Sequence, residues 1–275
     1  AAEHVAATSD LDTPIPVDGS DEIGRLARVL NRMMDRLEGA FQQQRRFSSD
    51  ASHELRTPLA VMQGKIEAAL QEPGRGAKDS ETFVELLERV GQLRSIIDSL
   101  LLLSRSDAGS LVPDRGELAL AELMVDVLED AEILADEAGL EMEVDIAATD
   151  AKVSGDGRLL RLAISNLLTN AVKYNHQGGK VQCEVRDVRG GYAVVVRNTG
   201  PPISEADGER IFERFYRVDP ARGFARPGTG LGLSLSHVIA RAHGGHLTFE
   251  GSHEGWNTFV LRLPPATVSS GNSES

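Results

Sequence analysis

The chain has 275 residues, enough for one large domain or two to three small ones, and its 41% hydrophobic and 26% charged residues are ordinary for a globular protein. A net charge of −13 excludes broad nucleic-acid binding, and no apolar run approaches the roughly 18 residues that span a bilayer. One cysteine, Cys183, excludes an internal disulfide and fits a reducing compartment.

The first periodic stretch is 21–41, "DEIGRLARVLNRMMDRLEGAF". Ile23, Leu26, Leu30, Met33, Leu37 and Phe41 recur at three- and four-residue steps, which predicts a helix with a coiled-coil seam. Asp21 stands where a cap belongs, and "TPIPVDGS" before it reads as loop. "QQQRR" breaks the beat, a phase slip, and the beat resumes at Phe47, Ala51, Leu55, Pro58, Met62, Ile66 and Ala69. "EPGRGAKD", 72–79, is turn composition. A second helix is predicted from Ser80 to Ser106 on Phe83, Leu86, Val90, Leu93, Ile97, Leu100 and Ser104. Two such helices make a hairpin. Leu87, Ile96, Leu101 and Leu103 widen its apolar face, so two copies are expected to form a four-helix bundle; the alternative is a hairpin packed on its own downstream domain.

"DAGSLVPDRG", 107–116, reads as a linker. Beyond it, helices are predicted at 118–138 and 156–174, with strands in "LEMEVDIA", "KVQCEVRDV", "YAVVVRNT", "HLTFEGS" and "NTFVLRLP". That is an α+β domain with a largely antiparallel sheet. Glu117–Asp145 holds eleven acids and no lysine or arginine on a helical beat, read as a solvated acidic face. Cys183 falls in an alternating strand and reads as a buried thiol. Residues 266–275, "ATVSSGNSES", read as a disordered tail.

Two constellations carry chemistry. In "FSSDASHELRTPL", 47–59, His53 is two residues from both Ala51 and Leu55, about 200° from the seam, so it faces outward. Arg56 and Thr57 share its face at i+3 and i+4, and Pro58 takes the helical partner from the Glu54 carbonyl and bends the helix there. A neutral imidazole is a good nucleophile when a carboxylate such as Glu54 fixes its tautomer. By itself, an exposed histidine beside a glutamate is ordinary surface.

The second constellation is "NLLTNAVKYN", 166–175, with Asn166, Asn170 and Lys173 on one helical stripe and Leu167, Leu168, Ala171 and Val172 opposite. Amide oxygens suit Mg²⁺ and the lysine suits phosphate, although a solvated amide face is an equal reading of this stretch alone. "NTGPPIS", 198–204, follows a strand, and "GTGLGLS", 228–234, opens a helix, where glycines let backbone amides approach phosphate. Between them, "ERIFERFYRVDPARGFARPG" reads as a mobile lid with Arg214, Arg217, Arg222 and Arg226 facing anions and Phe212, Phe215 and Tyr216 clipping it to the domain.

Together these motifs resemble the cytoplasmic part of a sensor histidine kinase of a two-component system, over about residues 20–265. "HELRTP" is similar to the phosphoacceptor motif, "NLLTNAVKYN" to the N box, "IFERFYR" to the F box and "GTGLGLS" to the second glycine box. "DEIGRLARVLNRM" resembles the second helix of a HAMP relay, and the start at Ala1 without a methionine fits a piece of a longer protein. The resemblance implies a partial HAMP-like relay at 1–41, a dimerising phosphotransfer hairpin at 42–108, an α/β-sandwich (Bergerat-type) ATP-binding domain at 109–265 and the tail at 266–275. It implies His53 as phosphoacceptor, Glu54 as base and Thr57 in phosphatase chemistry. It implies ATP held by Asn166, Asn170, Lys173, Tyr174, Asn198, Gly200, Gly228, Thr229, Gly230, Leu231, Gly232 and Leu233, with Mg²⁺ on Asn170 and Asn166. The implied partners are a response-regulator receiver domain and a second copy of the chain through the hairpin. An upstream transmembrane sensor segment, absent from this chain, is implied too, making this the cytoplasmic portion of a bacterial inner-membrane protein. Two departures stand out: Asn198 replaces the expected adenine-reading aspartate and Pro202 replaces a glycine. Asn198 keeps an acceptor oxygen without the charge. The rivals are a gyrase- or chaperone-type ATPase, disfavoured because no acid lies within 159–175, and a non-catalytic nucleotide-binding scaffold.

Overall fold

The computed structural model describes residues 26–34, 59–70, 77–218 and 229–266. The chain divides into two units, Ala1–Ser110 and Leu111–Ser275. In the first, residues 26–34 (α1), 59–70 (α2) and Ala77–Asp107 (α3) are helical. Leu59, Val90, Leu101 and Leu103 are buried, whereas Leu86, Leu93 and Leu100 of the predicted seam are exposed at seven-residue steps. α3 stops at a left-handed Gly109: the Gly109 N–H donates to the Ser106 carbonyl and the Ser110 N–H to the Arg105 carbonyl, which satisfies the orphan carbonyls of the last turn. The seam residues Ile23, Leu37, Phe41, Phe47, Ala51, Leu55 and Pro58, and residues 72–76 of the expected turn, lie outside the described residues; Ala77–Asp79, read as the end of that turn, already belong to α3.

The second unit runs β1 (Gly116–Ala119), α4 (Leu120–Glu137), β2 (Glu141–Ile146), β3 (Lys152–Gly155), α5 (Gly157–Lys173), β4 (Lys180–Val188), β5 (Gly191–Asn198), α6 (Glu205–Arg210), α7 (Gly232–Ala242), β6 (His246–His253) and β7 (Trp256–Leu263). Five strands form a sheet in the order β2-β4-β5-β7-β6, antiparallel except for the β2–β4 pair. Two-residue periodicity turns Val181, Cys183 and Val185 of β4, Val194 and Val196 of β5 and Leu261 of β7 inward. α4, α5 and α7 pack side by side against this sheet. α4 buries Leu120, Leu123, Met124, Val127, Leu128, Ala131 and Ala135, and its acids Glu122, Asp126, Glu129, Asp130, Glu132, Asp136 and Glu137 are exposed, as the periodicity predicts. α5 starts where the Asp156 carboxylate accepts hydrogen bonds from the Arg158 and Leu159 N–H groups.

The structure differs from the sequence reading at short elements. β1 occupies 116–119, which read as linker end and helix start, and pairs with β3, which was not anticipated. Four-residue strands are too short to show a period. Ala266, read as the first tail residue, donates its N–H to the Lys152 carbonyl, and Pro265 bridges to Val153; the remaining tail residues lie outside the described residues.

Candidate functional site

The C-terminal half of α5, the end of β5 and the start of α7 carry most of the singled-out residues. Asn166 on α5 donates from Nδ2 to the Gly232 carbonyl at 3.3 Å. A Cβ at Gly232 would lie 3.5 Å from Asn166 Oδ1, so a side chain there would cover that oxygen. α7 begins at Gly232 with Leu231 in the capping position and no side-chain cap, which leaves its leading N–H groups without helical partners. Such a terminus favours anions.

Before it, the Leu231 N–H donates to Thr229 Oγ1, and Gly230 takes φ +71°. A Cβ at Gly230 would come within 2.8 Å of the Phe215 backbone, whose N–H donates to the Gly230 carbonyl at 3.0 Å. Phe215 also has positive φ, 62°, and its side chain is 60% exposed. That corrects the reading of Phe215 as an apolar clip: its backbone makes the attachment. Tyr216 hydrogen-bonds Asp207 and stacks under Arg210, and Phe212 packs 5.2 Å from the His237 ring. Hydrogen bonds from Ser204 and Tyr216 hold the Asp207 carboxyl below its usual range.

Asn198 ends β5 with 3% exposure, its Nδ2 3.5 Å from the Tyr174 carbonyl. Gly200 passes over the same carbonyl so closely that a Cβ would lie 2.0 Å from the oxygen. Gly200 is therefore fixed by close backbone approach to the end of α5. Pro202 is exposed in the loop that follows. The flanking backbone is clamped: Asn257 Nδ2 donates to the Pro201 carbonyl, and the Ile203 N–H donates to Ser252 Oγ, which itself donates to Asn257.

Asn170 and Lys173 sit half-buried one and two turns beyond Asn166, and Lys173 Nζ lies 5.2 Å from the Tyr174 ring centre. Leu231 is buried and Leu233 half-buried. His53, Glu54, Thr57, Gly228, Arg222 and Arg226 lie outside the described residues. Among the described residues no three His, Cys, Asp or Glu side chains cluster as a metal site.

A buried polar knot escaped the sequence reading. Asn175 Nδ2 donates to the Lys180 carbonyl, Thr199 Oγ1 donates to Asn175 Oδ1, and the Lys180 N–H donates to Thr199 Oγ1. It ties the end of α5 to the start of β4 and the end of β5, directly beside Asn198 and Gly200. The only sequence signal was a third asparagine closing "NLLTNAVKYN". His243 was also missed. It is 1% exposed, donates from Nδ1 to the Ile239 carbonyl and accepts the Asp156 N–H at Nε2. Burial pushes its pKa below the usual histidine value.

Comparison with known proteins finds three families in order along the chain. Residues 1–39 match the HAMP domain, 43–109 the His Kinase A (phospho-acceptor) domain, and 155–267 the histidine kinase-, DNA gyrase B- and HSP90-like ATPase. The chain is 36% identical over 264 residues to the signal transduction histidine-protein kinase/phosphatase MprB of Mycolicibacterium smegmatis, covering 94% of this chain and 52% of that protein. It is 36% identical over 263 residues to the sensor protein CutS of Streptomyces coelicolor, covering 95% and 63%. The chain thus spans between half and two thirds of these curated relatives. Full-length ShkA in complex with AMPPNP shares its structure with a TM-score of 0.67 at 26% identity, covering 80% of this chain and 46% of that one. The Acinetobacter baumannii histidine kinase AdeS shares the fold with a TM-score of 0.55 at 24% identity, covering 78% and 98%.

Proposed function

We infer that this chain, which belongs to the sensor histidine kinases of two-component systems, phosphorylates His53 from ATP and passes the phosphoryl group to an aspartate on a response-regulator receiver domain. The observation that carries the reading in the second unit is the uncapped start of α7, opened by glycines and lined by Asn166. The leading amides of α7 and the loop from Gly228 to Gly232, with Thr229, Leu231 and Leu233, would take the phosphates; Lys173 would add a cation. Asn198 Oδ1 would accept the adenine amino proton, with Gly200 and Tyr174 fixing its place. The amide oxygens of Asn170 and Asn166 fit Mg²⁺, a hard ion that takes few protein ligands and shares phosphate oxygens. Bound there, it would neutralise phosphate charge.

His53 attacks the terminal phosphorus with one ring nitrogen. A P–N bond forms, the P–O bond to the departing ADP breaks, and Glu54 holds the proton on the other nitrogen. Thr57, one turn on, orients a water for the reverse task, release of phosphate from the regulator. The hairpin is assigned to 42–108 and pairs with a second copy, for which the exposed Leu86, Leu93 and Leu100 supply a heptad seam. The HAMP match supports a chain lying on the cytoplasmic side of a bacterial inner membrane; among the described residues no helix is long and apolar enough to cross one.

Incubation with γ-labelled ATP and Mg²⁺ is expected to label the wild type with an acid-labile, alkali-stable phosphoramidate. His53→Gln should abolish the label and Asn170→Asp should lower it in a folded protein. Label surviving in His53→Gln would falsify the acceptor, and full activity in Asn170→Asp the metal assignment.

A further inference from the structure

The two units are joined by a much shorter free segment than the linker composition suggests. On one side, the cap of α3 is closed through Ser110, whose N–H and Oγ both bond the Arg105 carbonyl. On the other, the chain is fastened again almost at once. Pro113 is buried, the Asp114 N–H points to Asp156 Oδ2 at 3.4 Å, and Arg115 Nη2 donates to the Ala242 carbonyl at 2.8 Å. Only Leu111 and Val112 lie between these anchors, and Val112 is 83% exposed.

The fastening point is itself hydrogen-bonded into the unit. Asp156 caps α5, its own N–H is held by buried His243, and Ala242 is the last residue of α7. Gly155 lies so close beneath His243 that a Cβ there would approach the ring at 2.7 Å. Arg115 therefore grips a carbonyl at the end of a helix, where a cation is favoured, on the platform that carries both nucleotide-site helices.

We propose that Asp114 and Arg115 are a strap that roots the interdomain linker on the nucleotide-binding unit and sets its swing, and that Arg115 is a positioning residue for phosphoryl transfer. The proposal rests on the reading that this unit delivers phosphate to the hairpin. With the strap closed, three chain steps from Ser110 to Pro113 span at most about 11 Å. With it open, six steps to Gly116 at the head of β1 span at most about 22 Å. Effective concentration falls roughly as the −3/2 power of tether length, so doubling the tether slows encounter about threefold.

The test uses the full chain. Arg115→Ala removes the shorter bond of the strap and leaves Pro113 and the 3.4 Å Asp114 contact, so it is expected to lower the rate constant for His53 phosphorylation by at most about threefold with the KM for ATP unchanged. It should also speed amide hydrogen exchange across 114–117. Arg115→Lys, which keeps a donor, should recover part of the rate. A second variant, three glycine/serine residues inserted between Leu111 and Val112, should reproduce the slower rate without faster exchange at 114–117, since it lengthens the tether and leaves the strap intact. An unchanged or faster rate in Arg115→Ala, or a matched change in KM, overturns the proposal. So does a wild-type rate in the insertion variant. If the wild type itself takes no label, it is the kinase reading that fails.

Discussion

Gly200→Ala isolates what holds the candidate base-binding end of the site. An added Cβ would lie 2.0 Å from the Tyr174 carbonyl oxygen, 3.1 Å from its carbon and 2.5 Å from Asn198 Nδ2. Ordinary contacts of this kind exceed 3 Å, so the backbone must part by about 1 Å. The obstacle is main chain, not the flexible end of a side chain. Neither partner moves freely: Tyr174 closes α5 through its N–H to the Asn170 carbonyl, and the Thr199 N–H bonds the Lys180 carbonyl. Overpacking of this kind costs about 1–3 kcal/mol. In a unit of this size that lowers the melting temperature by roughly 2–4 °C per kcal/mol. Asn198 moves with the loop, so affinity for a fluorescent adenine nucleotide should fall about tenfold for each 1.4 kcal/mol of misplaced contact. Thermal unfolding and nucleotide titration of the same sample measure both. A variant with wild-type melting and wild-type affinity would show that Gly200 is not held by the approach to Tyr174.

The remaining predictions probe burial, titration and strain. Burial lowers the His243 pKa, with a further lowering from Arg115 and opposing effects from the Ile239 carbonyl and Asp156. The unfolded chain therefore takes up a proton first as pH falls. His243 contributes stability above the ordinary histidine pKa of about 6.5 and loses it as pH drops through that value toward its depressed folded one. Denaturant melts from about pH 7.5 to 5 should fall more steeply for wild type than for His243→Gln; parallel curves refute this. Cys183 is buried on β4 and its thiol is pushed up to about 12, so a thiolate reagent should modify it only in denaturant; rapid native labelling would contradict that burial. Phe215 holds φ 62° with an exposed ring, a conformation costing about 1–2 kcal/mol. Phe215→Asn, which tolerates that region, should raise stability by about 1 kcal/mol, read by chemical denaturation, and a destabilised variant would mean the ring is packed after all.

The long periodic elements were legible because many residues repeat one message. α4, α5 and the strands β4, β5 and β7 fall within a few residues of their predicted bounds, since Leu123, Val127 and Ala131, or Val181, Cys183 and Val185, each restate the period. β1 and β3 were not legible, because a four-residue strand is decided by its partner. At the candidate site, residues chosen by motif are readable singly, but their supports are not. Asn175, Thr199 and Lys180 meet across 24 residues of chain, and His243 meets Asp156 across 87. Nothing local in the sequence marks such pairs; only the closing of the sheet brings them together. The linker reading of "DAGSLVPDRG" holds, since the two units divide within it, but its fastening by backbone and guanidinium bonds is not encoded in composition.

The strained backbone at Phe215 has a reason that the site supplies. Its N–H donates to the Gly230 carbonyl, both residues hold positive φ, and the two backbones approach closely enough that Gly230 admits no side chain. Gly230 lies two residues before the uncapped start of α7. Phe215 lies within the described part of the segment read as a lid, which Tyr216 ties to Asp207 and Phe212 ties to His237 on α7 itself. Only Phe215 carries a conformational cost in this pair, since glycine adopts positive φ freely. The head of α7 is thus tied to the described part of that segment twice, by the main-chain bond from Phe215 to Gly230 and by the Phe212 ring against His237.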